Sequence, residues 1–284
     1  MRRKVVITGA GGLLGRALAE CGASRWDVHA LTHADLDICD PAAVNEALER
    51  LRPQVVINCA ALSNVDQCQR EPDRAFAVNA HGPGHLARAC GRIGADLVQI
   101  STDYVFDGRK GAPYTLTDVP HPINLYGESK LAGEQAVRRA LDRFYIVRPA
   151  RIFGRGGRNF ATKILDLIAA RQPIRAIVDE VGSPTYARDL AERIIRIVEE
   201  GPPGIYHVTN GGACSWYEFA CEVVRLLGRQ DIPIEPVRSD DLGRPAPRPA
   251  ATALRCLLSE DLGWSPLRPW PEAYVDFLKE VGIR

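Results

Sequence analysis

The sequence predicts an α/β protein: a doubly wound parallel sheet with a second, smaller α/β domain. Three observations carry this. The apolar run Val5-Val6-Ile7-Thr8 enters a turn punctuated by Gly9, Gly12 and Gly15, and a helical pattern follows. Strand-like and helix-like segments then alternate as βαβαβ, the pattern of a parallel sheet. Beyond Pro149 the chain changes character, with Pro202, Pro203, Pro233, Pro236, Pro245, Pro247 and Pro249 interrupting its elements.

Taken in order, the first strand is Lys4–Thr8, with a helix from Gly12. Gly9 permits a sharp turn, Gly12 lets backbone N–H groups approach a pyrophosphate, and Gly15 lets the helix pack against the sheet, so the helix N-terminus faces the anion. The second strand is Asp27–Leu31, and its helix starts at Pro41, where the lost N–H is harmless and Asp40 caps the first turn. Strand Val55–Ala60 precedes a long helical stretch from Pro72 to Gly91, then strand Asp96–Ile100. A loop at 107–124, rich in Gly, Pro and Thr, is long enough to be functional. A helix around 126–141 and strand Phe144–Val147 follow. Helix Ala187–Glu199 and strand Gly204–Val208 are suited to return to the main sheet. The expected division is residues 1–152 plus 176–212 for the Rossmann domain and 153–175 plus 213–284 for the smaller one.

Composition bounds the rest. With 284 residues, 46% of them hydrophobic, the chain fills a substantial core. Thirty-six basic against 35 acidic residues give a net charge of +1, which excludes a field that gathers nucleic acid or an anionic membrane. No apolar run reaches bilayer length, and Arg2-Arg3-Lys4 leads straight into a strand, so the expectation is a cytoplasmic protein. The eight cysteines have no paired spacing and are expected to be mostly small buried hydrophobes in a reducing compartment.

One tyrosine has a lysine four residues on: Tyr126-Gly127-Glu128-Ser129-Lys130. On a helix the two share a face, and an ammonium beside a phenol favours the phenolate, bringing its pKa toward the working range. Thr102 stands at the carboxyl end of the fourth strand, where side chains reach a ligand, and its hydroxyl is expected to hydrogen-bond a substrate carbonyl.

The G-x-x-G-x-x-G spacing and the Thr102…Tyr126-x-x-x-Lys130 set resemble the short-chain dehydrogenase/reductase superfamily in its extended form. Two further segments, Asn58-Cys59-Ala60-Ala61 through Val65-Asp66 to Glu71-Pro72 and Pro122–Glu134, are similar to the dTDP-4-dehydrorhamnose reductase family. The similarity continues through Arg148-Pro149, Asn159-Phe160, Gly182–Thr185, Asp189–Ala191, Tyr206-His207 and Arg248-Pro249, nearly the full length.

This resemblance implies an NAD(P)H-dependent reductase of a nucleotide-linked 4-keto sugar, in which Tyr126 gives its proton to the oxygen, Lys130 holds the nicotinamide ribose and Thr102 orients the carbonyl. It implies cofactor contacts at Gly9, Gly12, Leu13, Leu14, Gly15 and Arg16. Further ones are implied at His33, Asp37 and Ile38, at Cys59, Ala60 and Ala61, and at Asn79, Ser101, Tyr126 and Lys130. The sugar site is implied at Val65, Thr102, Asp103, Tyr104, Tyr126 and Arg151. The second strand ends Leu31-Thr32-His33 without an acid to hold a ribose 2′-hydroxyl. With Arg16 and His33 nearby, that favours NADPH, with NADH as the other cofactor.

Relatives commonly have tryptophan where this chain has Arg151, so the site is expected to prefer a sugar richer in acceptors than the rhamnose precursor. Trp216 is read as a packing anchor. Arg155, Arg158, Arg244, Arg248 and Arg255 are candidates for a substrate diphosphate, none assigned. His81 and His85, four apart around Gly82-Pro83-Gly84, lack a third metal ligand and lie on an expected bend. Some relatives dimerise through a metal held two positions after the third glycine; Ala17 stands there, so no metal is expected, although a homodimer is compatible with the resemblance. Sugar-nucleotide dehydratases and epimerases share the Tyr/Lys pair, but dehydratases carry Thr-Asp-Glu, and Tyr104 replaces that glutamate. The methionine adenosyltransferase β subunit resembles the same family, which leaves a cofactor-binding regulatory subunit as the alternative.

Overall fold

The computed structural model describes residues 2–157 and 159–283, so Arg158 lies outside the described residues. The main sheet takes strands β1 (Lys4–Thr8), β2 (Asp27–Leu31), β3 (Val55–Asn58), β4 (Asp96–Ile100), β5 (Phe144–Arg148) and, from much later in the chain, Gly204–His207. The order across the sheet places β2 beside β1, then β3, β4, β5 and the late strand, all parallel. Strand order reverses between β1 and β3, which opens a crevice at their carboxyl ends. Thr8 is in register with both Leu31 and Asn58, so the three strands end flush. Beneath that rim the Thr8 hydroxyl donates to Asn58 Oδ1 at 2.6 Å and Asn58 Nδ2 donates to Gln99 Oε1 at 2.8 Å, a buried polar rung across β1, β3 and β4.

Helices α1 (Leu13–Gly22), α2 (Pro41–Leu51), α3 (Val65–Arg70), α4 (Pro72–Phe76), α5 (Gly82–Ile93) and α6 (Leu125–Ala140) alternate with these strands. Leu14 and Leu18 of α1 pack with Leu190 and Ile194 on one face of the sheet; Val44 and Leu48 of α2 pack with Leu86 of α5 and Val137 of α6 on the other. The sheet is thus wound on both faces. The Asp40 carboxylate caps α2 as expected, accepting from the N–H groups of Ala42 and Ala43 at 2.8 and 3.2 Å.

The stretch from Pro72 is not one uniform helix, since a π-helical turn at Ala77–His81 joins α4 to α5. The expected bend at Gly82-Pro83-Gly84 is absent. Pro83 sits in the first turn of α5, where no N–H is required, and Gly82 lies against Ile38. Helix α3 was not expected from the sequence; it is short, capped by Asn64 Oδ1 on Gln67 N–H at 2.9 Å, with Cys68 buried beneath it.

The remaining elements are β6 (Ile152–Phe153), α7 (Phe160–Ala169), β7 (Ile174–Ile177), β8 (Val181–Gly182), β9 (Thr185–Tyr186), α8 (Ala187–Glu200), β10 (Gly204–His207), β11 (Cys214–Ser215), α9 (Trp216–Leu226), β12 (Ile234–Val237), α10 (Leu257–Asp261) and α11 (Trp270–Glu280). Helix α8 and strand β10 return to the main sheet as the sequence suggested. A separate core gathers Ile164 and Ile168 of α7, Ile174 and Ala176 of β7, Phe219 and Val223 of α9 and Tyr274 and Phe277 of α11. The cysteines differ from expectation: only Cys68, Cys90 and Cys214 are buried, the other five are half-buried, and none is in a disulfide. Most of them border helix ends and clefts, where a small side chain is only partly covered.

Candidate active site

The glycine turn is built by close approach. Gly9 has φ +65°, and a methyl on it would lie 2.5 Å from the Ala60 nitrogen, so β1 and the chain leaving β3 touch backbone to backbone. A methyl on Gly15 would lie 2.5 Å from the Gly9 carbonyl oxygen. The first turn of α1 is therefore drawn over the crevice with its N–H groups facing it.

Two cavities flank this turn and share Cys59 and Ala61. One, of about 260 Å³, is lined by Gly9, His33, Asp37, Ile38, Ala60 and also Leu36, Arg74 and Val78. The other, of about 420 Å³, is lined by Gly12, Leu13, Leu14 and Gly15 on one side and by Ser101, Thr102, Asp103, Tyr126, Lys130 and Arg151 on the other. Most of the expected cofactor and sugar residues thus line these two adjoining cavities.

Four do not line either cavity. Arg16 turns back, donating from Nε to the Gly11 carbonyl at 2.9 Å, and packs against Gly156. Asn79 is buried, holding the Leu62 backbone at both N–H and C=O (2.9 and 3.0 Å) and donating to Ser129 Oγ at 3.1 Å. Val65 is half-buried in the first turn of α3. Tyr104 is absent from both linings, but its ring meets that of Tyr126 edge to face at 5.8 Å. Sequence reasoning missed Arg74, Ser63, Pro149, Ile152 and Asn159, which line the groove. Arg74 carried no signal because it lies on a helix remote in sequence from the glycine turn.

Tyr126 is delivered by α6. Asn124 caps this helix, accepting from Gly127 N–H at 2.8 Å, while its own amide donates to the Pro247 carbonyl at 2.9 Å. Gly127 lies against the Tyr104 carbonyl and Gly133 against that of Asn79, so α6 settles directly on the turn carrying Thr102. Lys130, 3% exposed, donates from Nζ to the Ile100 carbonyl at 2.6 Å and has no carboxylate partner among the described residues. Burial lowers its pKa from 10.5 to about 8, with Glu134 opposing.

The phenol differs from expectation. Desolvation pushes Tyr126 well above its ordinary value of 10, the Thr102 hydroxyl beside it pulls partway back, and Asp103 pushes it up again. The lysine does not turn it into a ready phenolate, because the ammonium is engaged at Ile100 and burial of the phenol dominates. A phenol that keeps its proton is suited to giving it away as an acid.

Asp103 is also buried, accepting from Thr102 Oγ1 at 3.1 Å and Thr252 Oγ1 at 2.5 Å. Burial raises its pKa to about 6, with Thr252 and then Arg151 opposing. Thr102 Oγ1 accepts from Tyr104 N–H at 3.2 Å and donates to Asp103 Oδ1 at 3.1 Å, and the residue lines the cavity. Behind the strand end, Ser101 donates to Glu134 at 2.5 Å, and Glu134 pairs bidentately with buried Arg148 at 2.8 and 2.6 Å.

Arg151 stands at φ +43° with its guanidinium 4.1 Å from the Trp216 ring centroid; Nη1 donates to the Cys214 carbonyl at 2.8 Å and Nη2 to the Glu180 carbonyl at 2.7 Å. Backbone carbonyls of β11 and of the turn before β8 thus take two of its five N–H donors, while the side chain still lines the larger cavity. Trp216 is the packing anchor expected, meeting Phe160 at 4.7 Å and Arg151. The other arginines named for a diphosphate are paired: Arg155 with Glu20, Arg244 with Glu180, Arg248 with Asp66 and Arg255 with Glu260. Among the described residues no three His, Cys, Asp or Glu side chains gather as metal ligands, and no helix is long and apolar enough to cross a membrane.

A parallel sheet with a glycine turn at its reversal point, and a Thr/Tyr/Lys set at the rim, defines an NAD(P)-dependent oxidoreductase of the short-chain dehydrogenase/reductase type. The chain matches the family described as RmlD substrate binding domain over residues 3–283. It is 43% identical over 285 residues to a dTDP-4-dehydrorhamnose reductase of Mycolicibacterium smegmatis, covering 99% of this chain and 86% of that one. It is 41% identical over 281 residues to the spore coat polysaccharide biosynthesis protein SpsK of Bacillus subtilis, covering 98% and 97%. A crystal structure of a dTDP-4-dehydrorhamnose reductase from Bacillus anthracis in complex with NADP superposes with a TM-score of 0.96 at 36% identity, covering 99% of this chain and 100% of that one. The chain belongs to the dTDP-4-dehydrorhamnose reductase family.

Proposed function

We propose that the protein is an NADPH-dependent reductase of a nucleotide-linked 4-keto sugar, dTDP-4-dehydrorhamnose being the first substrate to try. The observation that carries this is the convergence of Thr102, Tyr126 and Lys130 on one cavity that is continuous with the glycine turn. The residues fit a dinucleotide: Gly9 and Gly15 leave no room for side chains in the turn, and a buried ammonium without a carboxylate partner among the described residues lines the groove where the nicotinamide ribose would lie. Bound NADPH supplies a hydride. Lys130 holds the ribose hydroxyls, Tyr126 donates its phenolic proton to the sugar oxygen, and the first turn of α1 holds the pyrophosphate. His33, named from the sequence together with Arg16, lines the smaller cavity with Arg74, and these two would receive a 2′-phosphate there.

The reading includes the division of the chain into a dinucleotide-binding domain and a smaller substrate domain, work in the cytoplasm and assembly as a homodimer. The regulatory-subunit reading is not favoured by the relatives, several of which are named as reductases. The test is a screen of 4-keto-sugar nucleotides followed by NADPH absorbance. Absence of turnover with every one of them, together with recovery of a stoichiometric synthetase partner, would return the subunit reading.

A further inference from the structure

Beyond the carboxyl end of β10 lies a further cavity, of about 520 Å³, walled by the loop after that strand, by α10 with the segment before it, and by the turn that leads to α11. It shares no lining residue with either cavity of the groove. Much of its wall is apolar, from Val208, Leu254, Trp264, Pro266 and Leu267. The wall at residues 253–255 is fixed in place, since Tyr114 N–H donates to the Ala253 carbonyl at 2.8 Å and Arg255 N–H donates to the Tyr114 carbonyl at 2.9 Å. A cavity already formed demands little ordering when a ligand enters.

One charge in this lining stands alone. Arg193 of α8 is only 9% exposed, and its guanidinium carbon lies 5.7 Å from the Trp264 ring centroid. Its Nη2 donates to the Ser265 carbonyl at 2.6 Å, while Nε and Nη1 have no hydrogen-bond partner among the described residues. No carboxylate among those residues acts on its charge, and Arg196 beside it has the same sign. The other charged groups of the lining cancel or are neutral. Arg255 forks onto Glu260 at 2.8 and 2.7 Å, and burial together with the Arg148 cation lowers His207 from 6.5 to about 4. Arg193 also borders the open cleft between α8 and α11, where the cations have acids: Arg188 has Glu192, Arg196 has Glu200, and Arg268 has Asp189 and Asp276.

A guanidinium taken out of water without an anion is costly, and an oxyanion is the partner that relieves the cost. A cavity of this size with apolar walls takes a ligand with an apolar body. We propose that this cavity is a second ligand site, taking a small organic anion whose carboxylate or phosphate meets Arg193 and whose apolar body lies among Val208, Leu254 and Trp264. The donors left on Nε and Nη1 supply its charge-assisted bonds. None of these residues is used by the reductase reading, so absence of turnover leaves the site standing and loss of the site leaves that reading untouched.

The test uses the full chain saturated with NADPH, which fills the groove. Three probes of one shape are compared, all substituted at the same ring carbon: naphthoate, naphthyl phosphate and the neutral naphthalenemethanol. Calorimetry should show one naphthyl anion bound per chain, about 10-fold tighter than the alcohol or more, the scale of one charge-assisted hydrogen bond. Whichever anion binds more tightly names the source of the oxyanion. Arg193→Met should weaken the anion by that factor and leave the alcohol unchanged, closing the gap. In nitrogen-15 spectra the amides of Gly211 and Gly212, which line the cavity, should shift with the anion, and those of Gly12 and Gly15 in the cofactor turn should stay. No binding of either anion, equal binding of anion and alcohol, an anion affinity that survives Arg193→Met, or shifts at Gly12 and Gly15 with none at Gly211 and Gly212 overturns the proposal. Should the methionine variant fail to fold, the wild-type gap and the place of the shifts decide.

Discussion

Gly127 lies directly against the carbonyl oxygen of Tyr104, so that a methyl on it would fall well inside van der Waals contact. This one missing side chain lets α6 rest on the turn after β4, and it brings Tyr126, the preceding residue, to Thr102.

Gly127→Ala should therefore damage the site through its frame. We expect a stability loss of about 1–3 kcal/mol from overpacking and a kcat reduced by about 100-fold from misplacement of Tyr126. Gly91→Ala is the control: on α5 a methyl there meets nothing closer than 3.7 Å. That variant should gain about 0.5–1 kcal/mol. Thermal unfolding and turnover of both variants check the pair; equal behaviour would refute the account.

Tyr126→Phe removes the proton donor and leaves the ring that meets Tyr104 edge to face. Turnover should fall about 10²–10⁴-fold, while NADPH binding, measured by fluorescence titration, stays at the wild-type value. Near-wild-type turnover would show that another group supplies the proton.

The smaller cavity should distinguish the two cofactors. Arg74 lines it, tethered at 3.0 Å to Glu71 on an exposed surface, whereas Arg16 is turned toward Gly11. NADPH should bind more tightly than NADH. Arg74→Ala should narrow the gap by about 10-fold, the scale of one charge-assisted hydrogen bond, and Arg16→Ala should leave it nearly intact. Titration calorimetry with both cofactors decides; a gap closed by Arg16→Ala instead would reinstate the reading taken from sequence.

Arg151 should act on fold and substrate together. Arg151→Ala leaves the carbonyls of Cys214 and Glu180 without their charged donor and uncovers Trp216, so stability should drop by about 2–3 kcal/mol and KM for the sugar nucleotide should rise, with cofactor affinity unchanged. An indole has no pair of donors for those carbonyls. Arg151→Trp is therefore expected to gain nothing on dTDP-4-dehydrorhamnose, measured as kcat/KM.

The parallel strands were legible because strands buried on both faces read as apolar runs, as Val55–Ile57 and Leu97–Val98 do. Caps and punctuation were legible too: Asp40 before Pro41, the glycine turn, Tyr126 four residues before Lys130. Hidden were the relations that only folding creates. Asp103 and Thr252, or Arg151 and Glu180, are far apart in sequence and share no pattern. The pKa of Tyr126 was misjudged because a neighbouring lysine is visible in sequence and the desolvation around a phenol is not. Short α3 and the π-helical turn were missed for want of a full helical period.

Strand β10 sits beside β5, with Tyr206 in register with Val147, although the whole run from β6 to α8 intervenes. The catalytic sheet is therefore finished by a segment synthesised long after its other five strands. Until Gly204–His207 has emerged, β5 is an open edge with unpaired N–H and C=O groups, inviting association between growing chains. Completion of the sheet thus waits on late synthesis and a long-range pairing, which is slow by topology.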